Sequence, residues 1–148
     1  GRNGEAFPVE VPTHITGTLD FEQGAIATII TSFDMWGHNL PKIEIYGSEG
    51  TLSVPDPNQF GGEVKVWKPE TREWEVVPTL ENREDTGRII GVAEMAKAIE
   101  EDRPHRAHSN QAYHVLDIMH AIHEASDSNQ HVELKSTCER PSALAEEL

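Results

Sequence analysis

Basic residues are scarce in this 148-residue chain: 12 Lys and Arg stand against 26 Asp and Glu, a formal net charge of -14. Nucleic-acid binding depends on Lys and Arg neutralising phosphates, and an anionic membrane surface repels so acidic a protein, so neither partner is expected. A single cysteine, Cys138, excludes an internal disulfide and suits a reducing cytoplasm. No HExxH and no cysteine pair is present to signal a metal site. No N-terminal apolar stretch resembles a signal peptide or a spanning helix. None of the 11 glycines falls in the GxGxxG spacing that lets backbone amides approach a pyrophosphate. The length fits one domain with a single core, and acidity spread along the whole sequence reads as ordinary solubility.

What is present is a clear change of period. From Val9 to Phe21 the apolar positions Val9, Val11, Ile15, Leu19 and Phe21 are all odd, which predicts a half-buried strand. Glu22, Gln23 and Gly24 form a turn, and the β-branched run Ala25 to Trp36 pairs back as a hairpin. Lys42 to Tyr46 and Thr51 to Val54 repeat the pattern around a turn at Gly47 to Gly50, until Pro55 and Pro57 end the strand. Glu63 to Lys68 and Glu73 to Val77 read as a third hairpin turning at Pro69 to Arg72. After Thr86 the period becomes helical: Val92, Met95, Ala96 and Ile99, then Ala112, Val115, Leu116 and Met119, with Ser109 as the expected N-cap of the second helix. Pro104 separates the two, and Val132 to Leu134 reads as a short last strand. Strands first and helices afterwards predict an α+β fold: an open antiparallel meander of about six strands, with two amphipathic helices packed on one face. Ile26, Ile30 and Trp36 lie on the even face of the second strand, opposite Ala25, Ala27, Ile29, Phe33 and Met35, so a second layer is expected over the open side.

The segment Ser32 to Asn58, SFDMWGHNLPKIEIYGSEGTLSVPDPN, places Trp36, His38 and Asn39 together at a strand end, where a rigid sheet can present them to a ligand. An aromatic face suits a sugar or polyol ring, and imidazole and amide groups discriminate hydroxyls by donor and acceptor position. The bland alternative is a Trp packed on the sheet edge beside a capping His.

That strand, aromatic turn, strand and Gly-flanked hairpin resemble the C-terminal domain of the Gfo/Idh/MocA oxidoreductases, the glucose-fructose oxidoreductase and inositol dehydrogenase family. The resemblance continues through GVAEMAKAIEEDRPHRAH at Gly91 to His108, AYHVLDIMHAI at Ala112 to Ile122 and VELKSTCERP at Val132 to Pro141. It implies that residues 1–148 form a single substrate-binding and oligomerisation domain of an NAD(P)-dependent enzyme. It also implies that the dinucleotide-binding domain, the catalytic lysine of a Glu-Lys-Pro motif and an Asp-x-x-x-His pair lie upstream of Gly1. The expected chain is then a fragment without a catalytic residue, binding neither NAD nor NADP alone and not turning over by itself. In related inositol dehydrogenases an aromatic residue of the corresponding turn reaches the substrate, which makes His38 its nearest equivalent and Trp36 a neighbour. The open sheet face is implied as the surface of a homo-oligomer. Arg83 and Arg88, in ENREDTGRIIG, fall where the family's chain passes near the cleft and could hold a hydroxyl, carboxylate or cofactor phosphate through a planar fork, although Glu81, Glu84 and Asp85 are near enough to pair with them.

Two other readings remain open from the residues. The Trp36 and His38 surface could serve a self-standing carbohydrate-binding or scaffold β module. Asp117, His120 and Glu124 have helical spacing that could face one ion, or could simply be a solvated helix face. Cys138 lies among Ser136, Thr137, Glu139 and Arg140 and reads as an incidental thiol.

Overall fold

A computed structural model describes residues 4, 6–78 and 87–144. Its element order is β1 (His14–Asp20), β2 (Ile26–Ser32), β3 (Ile43–Gly47), β4 (Gly50–Val54), β5 (Lys65–Trp67), β6 (Trp74–Val76), α1 (Ile90–Glu100) and α2 (Ser109–Ser128). The α+β class and the six antiparallel strands agree with the periodicity. The strands do not form one ladder, however: β1 and β2 make a two-stranded sheet, and β3-β4-β5-β6 a four-stranded meander. Two compact units correspond to these, Gly1–Asn39 and Leu40–Leu148.

In the first unit, β1 and β2 pair from His14↔Ser32 to Asp20↔Ile26. Ile15, Gly17 and Leu19 alternate as half-buried positions along β1, as period two requires. The loop 22–24 closes through Phe21 N–H to the Ala25 carbonyl at 2.9 Å and Gly24 N–H to the Phe21 carbonyl at 2.8 Å. Gly24 takes a φ of 86°, the left-handed conformation that a three-residue hairpin loop needs at this place. Register puts Ile26 and Ile30 on the side of Thr16 and Thr28, and Ala27 and Ile29 on the other, so β2 is apolar on both faces.

In the second unit, Gly47↔Gly50 closes the β3–β4 hairpin and Trp67↔Trp74 the β5–β6 hairpin. The latter turn places Arg72 at a φ of 54°, with Arg72 N–H on the Lys68 carbonyl at 2.9 Å. Gly50 is needed for close approach: a Cβ there would lie 2.5 Å from the Trp67 carbonyl oxygen on the adjoining strand.

The helices depart furthest from expectation. Among the described residues of the second unit, broad element-to-element approach is between neighbouring strands, and neither helix packs broadly on the four-stranded sheet. The apolar stripe Val92, Met95 and Ile99 of α1 is exposed, whereas Glu94 and Ala98 are the buried positions. Likewise Val115, Leu116 and Met119 of α2 are exposed, and the half-buried stripe runs through His114, Asp117, Ile118, Ala121, Ile122 and Ala125. Over this second stripe lies the tail. Val132, Leu134 and Ser136 alternate as half-buried positions, although Val132 to Leu134 forms no strand ladder. Ser109 is the first residue of α2 and not its cap; His108 caps it, its Nδ1 accepting from Asn110 N–H at 3.2 Å. Asn129, at a φ of 54°, ends the helix in the left-handed conformation. No helix among the described residues is long and apolar enough to cross a membrane.

Candidate functional site

The turn after β2 is rooted by side chains. Thr13 donates its hydroxyl to the Asp34 carboxylate, Asp34 N–H bonds Ser32 Oγ at 3.1 Å, and Phe33 N–H reaches the Thr13 carbonyl at 2.8 Å. These contacts extend the hairpin by a residue and fix where the turn departs. Beyond that root Phe33 is 96% and Trp36 105% exposed, and His38 and Asn39 are exposed as well. The expected Trp36, His38 and Asn39 thus lie in one short turn after β2. Asp34 and His38 have the Asp-x-x-x-His spacing, as do Asp127 and His131, but the Asp34 carboxylate is already occupied by Thr13.

Arg88 belongs to the second unit, where its Nη2 donates to Asn58 Oδ1 at 2.8 Å. Arg83 lies outside the described residues. Asn58 is part of a loop the sequence showed only as Pro-, Gly- and Asn-rich. Asp56 shapes it, its carboxylate accepting from Asn58 N–H at 2.9 Å and its carbonyl from Gln59 N–H at 3.0 Å. Gly62, at a φ of 110°, passes against Pro55, where a Cβ would sit 2.7 Å from the proline ring. Between this loop and the end of β6 lies an open groove of about 550 Å³, lined by Pro55, Asp56, Gln59, Phe60, Val64 and Val77 among others. Lys42 stands 3.9 Å from Asp56. Pro55 and Pro57, read in the sequence as the end of the strand, are part of its lining.

A third cluster is ionic and was not visible in the sequence. Glu94, 4% exposed, accepts from Arg103 Nη1 and Arg106 Nη1 at 2.6 Å each and from Arg106 N–H at 3.0 Å. Arg103 Nε also meets Glu101 at 2.6 Å, and Arg106 Nη2 donates to the Ala143 carbonyl at 2.9 Å. Hydrogen bonds from Arg103 and from the Arg106 backbone, outweighing desolvation, hold the Glu94 carboxyl down at about 2. The donors of Arg103 Nε and Nη1 and of Arg106 are spent on protein groups, which is the arrangement of a fastening rather than a reaction centre.

The proposed Asp117, His120 and Glu124 ion site does not assemble. Asp117 lies on the half-buried face and accepts from Ser136 Oγ at 2.6 Å, while His120 and Glu124 are exposed. Among the described residues no three His, Cys, Asp or Glu side chains converge to hold a metal ion. Cys138 is free and exposed.

A family model described as the GFO/IDH/MocA C-terminal domain matches residues 2–53. The matched stretch includes β1, β2, the Trp36 turn, β3 and most of β4, whereas the resemblance read in the helices and tail lies beyond it. No curated protein and no solved structure gives a significant match. The hairpin, the rooted turn and the strand that follows are thus similar, over residues 2–53, to the GFO/IDH/MocA C-terminal domain, a domain of an oxidoreductase family.

Proposed function

We propose that the chain is the substrate-binding and oligomerisation domain of an NAD(P)-dependent dehydrogenase acting on a sugar or polyol. The observation behind it is the family match across the Trp36 turn, together with an indole and an imidazole exposed on a turn whose root is hydrogen-bonded. On this reading Trp36 lies flat against the C–H face of the ring, and His38 and Asn39 sort its hydroxyls. Nicotinamide chemistry and the proton-transferring lysine and histidine belong to the dinucleotide-binding part of the enzyme. Arg88 supports the 55–63 loop through Asn58.

The test is titration of the chain with inositol and with glucose, read by NMR at the indole N–H signals of its three tryptophans. The Trp36 signal is expected to move while those of Trp67 and Trp74 stay, and the movement is expected to be lost in Trp36→Ala and weakened in His38→Ala. Polyols that leave the Trp36 signal fixed at tens of millimolar, or that move all three alike, would remove the turn from the substrate site.

A further inference from the structure

His114, Ser136 and Asp117 form a chain of hydrogen bonds whose protons can be counted. Ser136 Oγ is 2.6 Å from Asp117 Oδ2 and 2.8 Å from His114 Nδ1, and Ser136 N–H reaches the same Asp117 oxygen at 3.1 Å. A serine hydroxyl has one proton to give. An ionised carboxylate can only accept, and a hydrogen bond to it is shorter and stronger than one to a neutral ring nitrogen. The 2.6 Å contact is therefore the one that takes the Ser136 proton. Ser136 Oγ is left as an acceptor toward His114, so the proton of that second bond comes from Nδ1.

We propose that Asp117 and Ser136 act as a relay that fixes His114 in its Nδ1–H tautomer and holds its Nε2 as an oriented hydrogen-bond acceptor on α2. Asp117 and Ser136 are positioning residues in this arrangement. Asp117 is suited to the part: the hydroxyl and backbone N–H of Ser136 keep its carboxyl below the ordinary carboxylate range, so it stays ionised and does not donate. The ring is half-buried, and its Nε2 makes no hydrogen bond to the described residues. A hydrogen-bonded partner on one ring nitrogen fixes the tautomer and the ring orientation, and so the direction of the other nitrogen, as in the shell around metal-bound histidines. What such a nitrogen serves is a donor: a ligand hydroxyl or a partner N–H. The inference is independent of the sugar reading and of the Trp36 turn.

Histidine-labelled full chain gives the answer by long-range ¹H–¹⁵N NMR, which separates the two ring nitrogens by whether each carries a proton. At a pH where the ring is neutral, His114 is expected to show a protonated Nδ1 and a bare Nε2. In Ser136→Ala that bias is expected to disappear, and in Ser136→Thr, which restores a hydroxyl, it is expected to return. A wild-type His114 with its proton on Nε2 would overturn the proposal, whatever the variants do. So would a folded Ser136→Ala protein whose tautomer is unchanged. Because the first measurement uses the unmodified chain, a variant that fails to fold does not rescue the idea.

Discussion

Glu94 and Arg106 are joined at two points: the Arg106 side chain donates to one carboxylate oxygen at 2.6 Å and its backbone N–H to the other at 3.0 Å. With Arg103 on the same oxygen as the Arg106 side chain, the carboxylate ties α1 to the turn at 103–106 and, through the carbonyls of Ser142 and Ala143, to the tail. Its carboxyl is lowered from the ordinary 4.5 to about 2, and a lowered folded-state value means that the native state holds the ionised form more strongly than the unfolded chain does. The stabilisation is therefore complete above pH 4.5 and is lost as the pH falls from there toward 2. Glu94→Gln is expected to lower the urea midpoint at pH 7, and the gap from the native chain is expected to close as both are titrated toward pH 2. A gap that stays constant across that window would mean that the carboxylate's charge contributes nothing.

Ala98, 0% exposed, is the fully buried apolar residue among those described, one helical turn beyond Glu94. Space at that point is set by the methyl group. Ala98→Leu is expected to destabilise by roughly 1–3 kcal/mol, the usual cost of forcing added methylenes into filled space. Ala96→Leu, on an exposed position of the same helix, serves as the control and is expected to change stability by less than about 0.5 kcal/mol. Equal effects at both positions would show that α1 has no buried face.

The strands were legible because alternation is local: Ile15 and Leu19 declare their face within seven residues, and Gly24 and Gly47 mark the turns on either side. The turn after β2 was legible less well: the apolar run reads as strand through Trp36, whereas β2 ends at Ser32 and Trp36 lies in the turn. The buried faces of the helices were not legible. Hydrophobic periodicity favours Val92, Met95 and Ile99, yet burial falls on Glu94 because its three donors come from residues nine and twelve positions away, a distance no helical period reports. Val132 to Leu134 shows the converse, an alternating segment that has an α-helix for a neighbour in place of a strand, so the period is right and the ladder is missing.

Gly50 gives a backbone test of the β4–β5 junction. A methyl group there would lie 2.5 Å from the Trp67 carbonyl oxygen, and both atoms belong to paired backbone that cannot turn aside like a side chain. Gly50→Ala is expected to cost roughly 1–3 kcal/mol by this overpacking. Gly47→Ala, whose nearest contact would be a tolerable 3.4 Å, is expected to cost less. Thermal unfolding of the two variants side by side checks the order, and a reversed order would place the close approach elsewhere.

The last prediction concerns the sheet face that β2 leaves open. Ile26, 71% exposed, and Ile30 share that face with Thr16 and Thr28, and exposed β-branched residues in a row on a flat hairpin are what an assembly surface offers to a second copy. A lysine in the middle of such a surface must be desolvated to be covered, and it cannot be paired if the matching position on the other copy is also lysine. Light scattering on a sizing column is expected to give a dimer or larger for the chain and a folded monomer for Ile30→Lys. Gln23→Lys at the hairpin tip changes the net charge identically and is expected to leave the assembly intact, which separates location from charge. If the native chain is itself a monomer across the accessible concentration range, the open face is not an interface between copies, and the oligomerisation part of the proposed function falls while the Trp36 part stands on its own test.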